Sequence, residues 1–458
     1  MAELLDGINR FVWGVPALLL IIGAGVYLSV RTGFVQLRYF PAAIKTFFAG
    51  LGQKHTKEGV TAFRAMCTAL AATVGTGNLA GVAGAIAIGG PGSIFWMWIC
   101  AILGMVTKFA EATLAVKFRK KDTKGQLVAG PMYMIENGLG KKWKWLAGIY
   151  CFFGVVAAFG VGNVTQINTV ISGFNTILQS GGREPSRWIN LLLGVLMAVM
   201  IGFMLKGGAS RIGSVAEMLV PFAALGYIAL GVGVLVLRYQ CILRAFSLII
   251  QGAFDPGAIT GGVVGSMFTV MRIGTSRGVF TNEAGMGTAA IAHGAARVEH
   301  PVMQGFMGIV EVFLDTIVIC TVTALVILCS GVIIPYGADP GITLTASAFA
   351  HVYGSWVHIP ITVALCLFAF ATVLGWGLYG GRCAQYLFGE NSWNKFVCLQ
   401  IIMVIVGSVL QTGTVWLLAD IVNGLMAIPN LTALILLSPE LVRLVQEYKK
   451  GHRIISVS

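Results

Sequence analysis

Charge is what this 458-residue chain has least of: Asp, Glu, Lys and Arg together make up 11% of it, where an ordinary soluble domain carries about 25%. Beside a hydrophobic share of 57%, that shortage excludes a soluble fold and makes the chain a polytopic membrane protein. Cysteine is present without pattern, at 67, 100, 151, 241, 320, 329, 366, 383 and 398. Nearly all of these fall inside apolar runs, so they read as small buried hydrophobes and not as disulfides or metal ligands. A phosphate-binding loop is missing: Gly75, Gly77 and Gly81 have the wrong spacing, no strand precedes them and no Lys follows. That excludes ATP-driven transport by this chain alone. No Ser/His/Asp or zinc spacing supports an enzyme, and no symmetric filter or charged ring supports a channel. A receptor that binds without transporting is harder to exclude from residues alone.

What is there in abundance is apolar sequence in runs of membrane length. A span needs about 20 apolar residues, and on that rule eleven transmembrane helices are expected. They fall at 11–30, 65–88, 92–116, 145–172, 188–206, 214–237, 259–292, 303–333, 359–381, 394–411 and 414–437. The first run follows Glu3 and Asp6 and is longer than a signal-peptide core, so it reads as a retained span. Between 117 and 144 the stretch Val128 to Gly140 mixes apolar and polar residues, which predicts a short interfacial helix.

The net charge of +13 matters less than its placement. Lys and Arg collect in loops 31–64 and 117–144, at Lys206, Arg211, Arg297, Arg382 and Lys395, and in the tail at Arg443, Lys449, Lys450 and Arg453. With the eleven spans above, all of these fall on one side. Only Arg10, Arg183, Arg187, Arg238 and Arg244 fall on the other. Cytoplasmic loops carry the positive excess, so the N-terminus is expected outside and the C-terminus in the cytoplasm.

One span is poorly suited to unbroken helix. Ala71 to Gly81 contains Gly75 and Gly77, each costing roughly 1 kcal/mol of helix propensity against alanine. Thr73, Thr76 and Asn78 offer competing bonds to the backbone. Broken backbone at membrane depth is tolerable only where it faces protein, water or a ligand. Val-Gly-Thr-Gly at 74–77 returns as Ile-Gly-Thr-Ser at 273–276, so a second break is expected over 273–280. Paired interruptions of this kind point to the midplane site of a transporter built from inverted repeats. Gly77 and Gly81 also form a small-xxx-small pair, which alone would suggest close helix packing. The duplication favours the binding site.

With the first helix and basic loop (1–64) set aside, ten helices split into repeats at 65–237 and 259–437, joined by an outer connector at 238–258 and followed by a tail at 438–458. Five helices per repeat give the two repeats opposite orientation. The expected fold is therefore all-α, a leucine-transporter-like 5+5 inverted repeat behind one extra helix.

The chain resembles the alanine or glycine:cation symporter family of prokaryotic plasma membranes over nearly its whole length. The resemblance rests on Gly75-Thr76-Gly77-Asn78-Leu79-Ala80-Gly81, on Gly89-Gly90-Pro91-Gly92 followed by Phe95-Trp96-Met97-Trp98, on Gly130-Pro131-Met132-Tyr133, and on Thr281-Asn282-Glu283-Ala284-Gly285-Met286-Gly287. It implies uptake of alanine or glycine with Na+ as the coupling ion, into the cell across the bilayer. A proton-coupled symporter is the closest rival.

A small zwitterion needs donors for its carboxylate, acceptors for its ammonium and a tight wall. Backbone N–H groups near Thr76, Gly77 and Asn78 fit the first requirement, and carbonyls near Ile273 and Gly274 the second. The Asn78 side chain can reach either end. Gln166, in a polar patch at 162–168, serves as helix glue or, as the resemblance implies, as a ligand contact. Thr372 and Trp376 share a helix face, with Trp376 as a wall against large side chains. By analogy with the fold, sodium is expected among the carbonyls of Thr73, Gly75 and Ala369 and the Thr372 hydroxyl, since a hard cation takes oxygen ligands.

Intramembrane charge is costly and by default functional. Glu283 is expected to steady unwound backbone. Arg272 and Arg277 are expected to pair with carboxylates or helix ends. Glu311 and Asp315 are expected to gate or relay protons, or to partner those arginines. His293, His300, His351 and His358 are expected to be bystanders.

Overall fold

The computed structural model describes residues 2–51, 60–123, 125–410 and 413–455, and nearly all of them are helical. Lys54, Lys57 and Lys124 of the basic loops lie outside the described residues, as do the side chains of Arg10 and Arg453. The first span, α1, runs Val15–Thr32 with Pro16 in its first turn, and Gly33 at φ 65° ends it. Proline suits the first turn because the N–H it lacks has no helical partner there.

The two halves repeat one order of elements. The first opens with a broken helix, α2 (Ala62–Thr73) and α3 (Val82–Gly89), followed by the long α4 (Ser93–Phe118). A short helical segment at 131–139 matches the short helix expected in this stretch. Then come α5 (Lys144–Phe159) with α6 (Thr165–Ser180), α7 (Arg187–Lys206) and α8 (Gly208–Leu237). The second half opens with α9 (Met267–Asn282) and α10 (Thr288–His293), followed by α11 (Pro301–Val312) with α12 (Thr321–Ser330). A short α13 (Ile342–Tyr353) precedes α14 (His358–Phe388), α15 (Ser392–Gly407) and α16 (Gly413–Leu436). The tail helix α17 (Ser438–Ile455) is more than a solvated end, for it buries Leu441 and Leu444.

Seven helices among the described residues are each long and apolar enough to cross a membrane, and up to nine if each bent pair is one span. The halves interlock: α4 packs against α9 and α11, and α14 against α2, α5 and α8. The outer helices α7 and α8 present Leu192, Leu196, Val199, Phe203, Met218, Phe222 and Leu225 outward. Helices apolar on their exposed side are suited to lipid, since there is no water for that surface to avoid.

The second break does not lie where the Gly-Thr repeat put it. Residues 267–282 form continuous helix through Ile273 and Gly274. Gly274 is a packing glycine: a Cβ there would stand 2.4 Å from the Ser93 carbonyl oxygen of α4 and 2.7 Å from Trp96 Cβ. The interruption falls at Glu283–Gly287, where Glu283, Gly285 and Gly287 have φ of 54°, 95° and 75°. Glycine enters that region freely. Glu283 does so against its preference, at a cost of about 1–3 kcal/mol that surrounding bonds must hold.

Candidate substrate and ion site

In the first half the helix stops at Thr73, Val74 turns extended (φ −75°, ψ 94°), and helix resumes at a bend of 53°. The carbonyls that end α2 have no following turn to accept from. The Asn78 side chain closes the break by accepting from the Gly75 N–H at 2.9 Å. Its Nδ2 donates to Asp315 Oδ1 at 2.7 Å. Both polar atoms of Asn78 thus have partners within the protein, and the side chain bridges the break.

Gly75 has no room for a side chain. A Cβ there would lie 2.6 Å from Thr372 Oγ1 and 3.4 Å from Gln166 Oε1. Gly75, Gln166 and Thr372 therefore meet at one point. A Cβ on Gly77 would touch Thr281 Cγ2 at 3.2 Å and the Phe280 ring at 3.3 Å, so the first break faces the last turn of α9. Thr76 Oγ1 and Gln166 Oε1 are buried with no hydrogen-bond partner. Buried polar atoms are nearly always bonded; these two exceptions lie on Thr76, next in sequence to Gly75, and on Gln166, which packs against Gly75.

Trp376 is fully buried over Gly162, whose missing Cβ would lie 2.2 Å from Trp376 Cβ. Its indole Nε1 donates to Glu283 Oε1 at 2.8 Å, and Thr288 Oγ1 donates to Glu283 Oε2 at 2.6 Å. The Glu283 carboxylate thus binds side chains at the edge of the second break, and the contact to unwound backbone expected of Glu283 is made by Glu111. Glu111 of α4 accepts on its Oε1 from Gly285 N at 2.9 Å, Gly287 N at 3.0 Å and Asn430 Nδ2 at 2.8 Å. Three helices meet this region in wide π-helical turns, at 77–81, 160–164 and 313–320. Such turns gather at functional sites.

Ile273 and Gly274 are not part of this cluster. Ile273 lies against Gly89, nearer the start of α9, and its carbonyl belongs to a continuous helix. Thr73 and Ala369 are buried on α2 and α14, the helices that carry Gly75 and Thr372. Thr372 Oγ1 donates to the Phe368 carbonyl at 2.9 Å, which leaves its lone pairs available to a cation.

The charges follow expectation in part, Arg277 meeting a carboxylate as foreseen. Arg277 pairs with Asp339 at 3.3 Å, and its guanidinium sits 6.0 Å from the Phe280 ring centroid. Glu311 and Asp315 partner neither arginine. Asp315 serves Asn78, and Glu311 lies 2.6 Å from His293 and 3.3 Å from Lys108. His293 is no bystander: it is buried between Glu311 and Gln304. The residues missed were Lys108, Glu111 and Asn430. For the first two the signal was present, as intramembrane charges one turn apart in a span.

Each end of the molecule carries a cavity. At the end bearing the basic loops, a cavity of about 470 Å³ opens between Arg64 and Thr68 of α2, Ser210, Ala292 and Leu378. At the opposite end a second cavity of about 470 Å³ lies among Asn168, Thr176, Gln179, Arg187 and Thr343, while the Phe280 ring packs against Gly77 of the first break and carries Arg277, paired with Asp339, near its face.

Two broken helices that open the two halves of a membrane chain and face each other across a buried polar site define a secondary transporter, not an enzyme. The solved structure of the transporter MhsT in complex with L-phenylalanine has the same leucine-transporter fold, with a TM-score of 0.57 over 85% of this chain and 99% of that one, at 14% identity. The chain belongs to the sodium:alanine symporter family, whose profile matches residues 1–454. It is 41% identical to the sodium/alanine symporter AgcS of Methanococcus maripaludis, over 95% of this chain and 94% of that protein. It is 42% identical to an uncharacterized transporter of Haemophilus influenzae, over 97% and 96% of the two chains.

Proposed function

We infer that this protein is a sodium-coupled symporter of alanine or glycine, working by alternating access with the substrate held at the first break. The reading is supported most by the two buried, unpartnered atoms Thr76 Oγ1 and Gln166 Oε1, one next in sequence to Gly75 and one packed against it. Backbone N–H groups at Thr76 and Gly77 receive the carboxylate, the Gln166 oxygen receives the ammonium, and Trp376 limits the side chain. Sodium sits among the Thr73, Gly75 and Ala369 carbonyls and the Thr372 hydroxyl. All are oxygen donors of the kind a hard cation takes. The repeats at 65–237 and 259–437 move against each other around this point.

Eleven crossings, an outer N-terminus and a cytoplasmic C-terminus belong to the same reading. They are supported by the gathering of Lys and Arg at one end. The cavity at that end then leads to the cytoplasm, and the Arg277–Asp339 pair closes the outer side. Purified protein in liposomes accumulates labelled alanine when external sodium is present and stops when choline replaces it. Uptake that continues in choline and follows an imposed proton gradient would replace sodium by protons in this scheme.

A further inference from the structure

Beneath the second break lies a fully buried set of charges that the substrate site does not use. Lys108 of α4 has Glu311 at 3.3 Å, and both side chains are essentially without solvent contact. Its next electrostatic neighbours are Glu111 and Glu283. Its ammonium makes no directed hydrogen bond, so it acts as a point charge placed among three carboxylates.

Two of those carboxylates hold the break from its two sides. Glu111 caps the N–H groups of Gly285 and Gly287 and meets Asn430 of α16. Glu283 holds the Trp376 indole. Glu111 accepts three bonds on one oxygen and Glu283 accepts one on each of its two, arrangements that favour the ionised form of both. Carboxylates packed this closely repel each other in a medium of low dielectric unless a cation lies among them.

We propose that Lys108 is a tethered counter-cation for the second break, keeping Glu111 and Glu283 in place and, through Glu283, setting the position of the Trp376 wall. The two halves then solve one problem in two ways. The first break is completed by a cation that comes and goes with each cycle, the second by an ammonium fixed to a neighbouring helix. Lys108 is a positioning residue in this account, and the account rests on the reading of Trp376 as the pocket wall. Glu311 and His293 anchor the lysine from the side away from the break.

The test compares Lys108→Met, Glu311→Gln and the double variant in the full chain. Sodium-dependent alanine binding and competition by leucine are measured, each normalised to inserted protein. With Glu311 neutralised, Lys108 still balances Glu111 and Glu283, so alanine affinity stays within about threefold, whereas Lys108→Met lowers it by at least about tenfold. Leucine, excluded by the wall in the parent, competes measurably in Lys108→Met. Loss in the double variant supports the proposal, as does its failure to insert while Glu311→Gln inserts and binds. Equal losses in Glu311→Gln and Lys108→Met would show that only the ion pair matters and overturn it. So would unchanged affinity and selectivity in Lys108→Met. If the parent itself shows no sodium-dependent binding, the fault lies with the proposed function instead.

Discussion

Asn78 and Asp315, 237 positions apart in sequence, are joined by a 2.7 Å hydrogen bond in the middle of the protein. Through it the opening helix of one half is tied to the π-turned helix of the other, and the same Asn78 amide receives the Gly75 N–H. A hydrogen bond to a charged group contributes about 1.5–3 kcal/mol. Asn78→Ala is therefore expected to weaken sodium-dependent alanine binding by more than about tenfold, measured by calorimetry or scintillation proximity. Undiminished affinity would mean that the first break keeps its shape without the tie.

Trp376 does two things that substitution can separate. Trp376→Phe keeps an aromatic wall but leaves Glu283 Oε1 without the indole donor, and alanine affinity falls by about tenfold. Trp376→Ala removes the wall as well, so larger neutral amino acids begin to compete with alanine. A variant Trp376→Ala that still rejects leucine would move the size filter elsewhere.

Two glycines of like sequence context are expected to fail differently. At Gly75 an added methyl meets Thr372 Oγ1 at 2.6 Å. Gly75→Ala should insert normally yet show uptake near background. At Gly274 the methyl meets the Ser93 backbone carbonyl at 2.4 Å, and overpacking of that kind costs about 1–3 kcal/mol. Gly274→Ala should lower the melting temperature and yield, with alanine affinity preserved in the folded fraction. The reverse outcome would restore Gly274 to the binding site.

The Arg277–Asp339 pair is partly exposed, with side-chain accessibilities of 18% and 45%. Such pairs contribute about 1 kcal/mol or less to stability. Asp339→Asn should leave the melting temperature almost unchanged while speeding alanine exchange from the outer side in proteoliposomes. An unchanged exchange rate would remove this pair from the lid.

Sequence pattern revealed the fold class because lipid permits little else than helices, and apolar runs of membrane length mark where the long ones lie. The first break was legible too, since Gly75, Thr76, Gly77 and Asn78 crowd polar and flexible residues into an apolar run. The second was misplaced because glycine has two uses that look alike in sequence. At Gly274 it lets α9 approach α4, and only at Gly285 and Gly287 does it turn the chain. The reading also passed over Lys108 and Glu111, whose partners Glu311, Gly285, Gly287 and Asn430 come from helices far along the chain. No local spacing encodes such meetings. Asn78 was noticed for its place in the break, but its bonds to Gly75 and Asp315 were not legible, since Asp315 lies 237 positions away.

The wide turns at 77–81, 160–164 and 313–320 each carry one more residue per turn than an ordinary helix. If such a turn tightens, everything beyond it is drawn in by about 1.5 Å and rotated by about a quarter-turn, while the backbone ladder stays intact. The three helices around the centre therefore hold slack. They can take up or release a residue's length as the halves rock, much as a coil takes up strain, without unravelling in the oil.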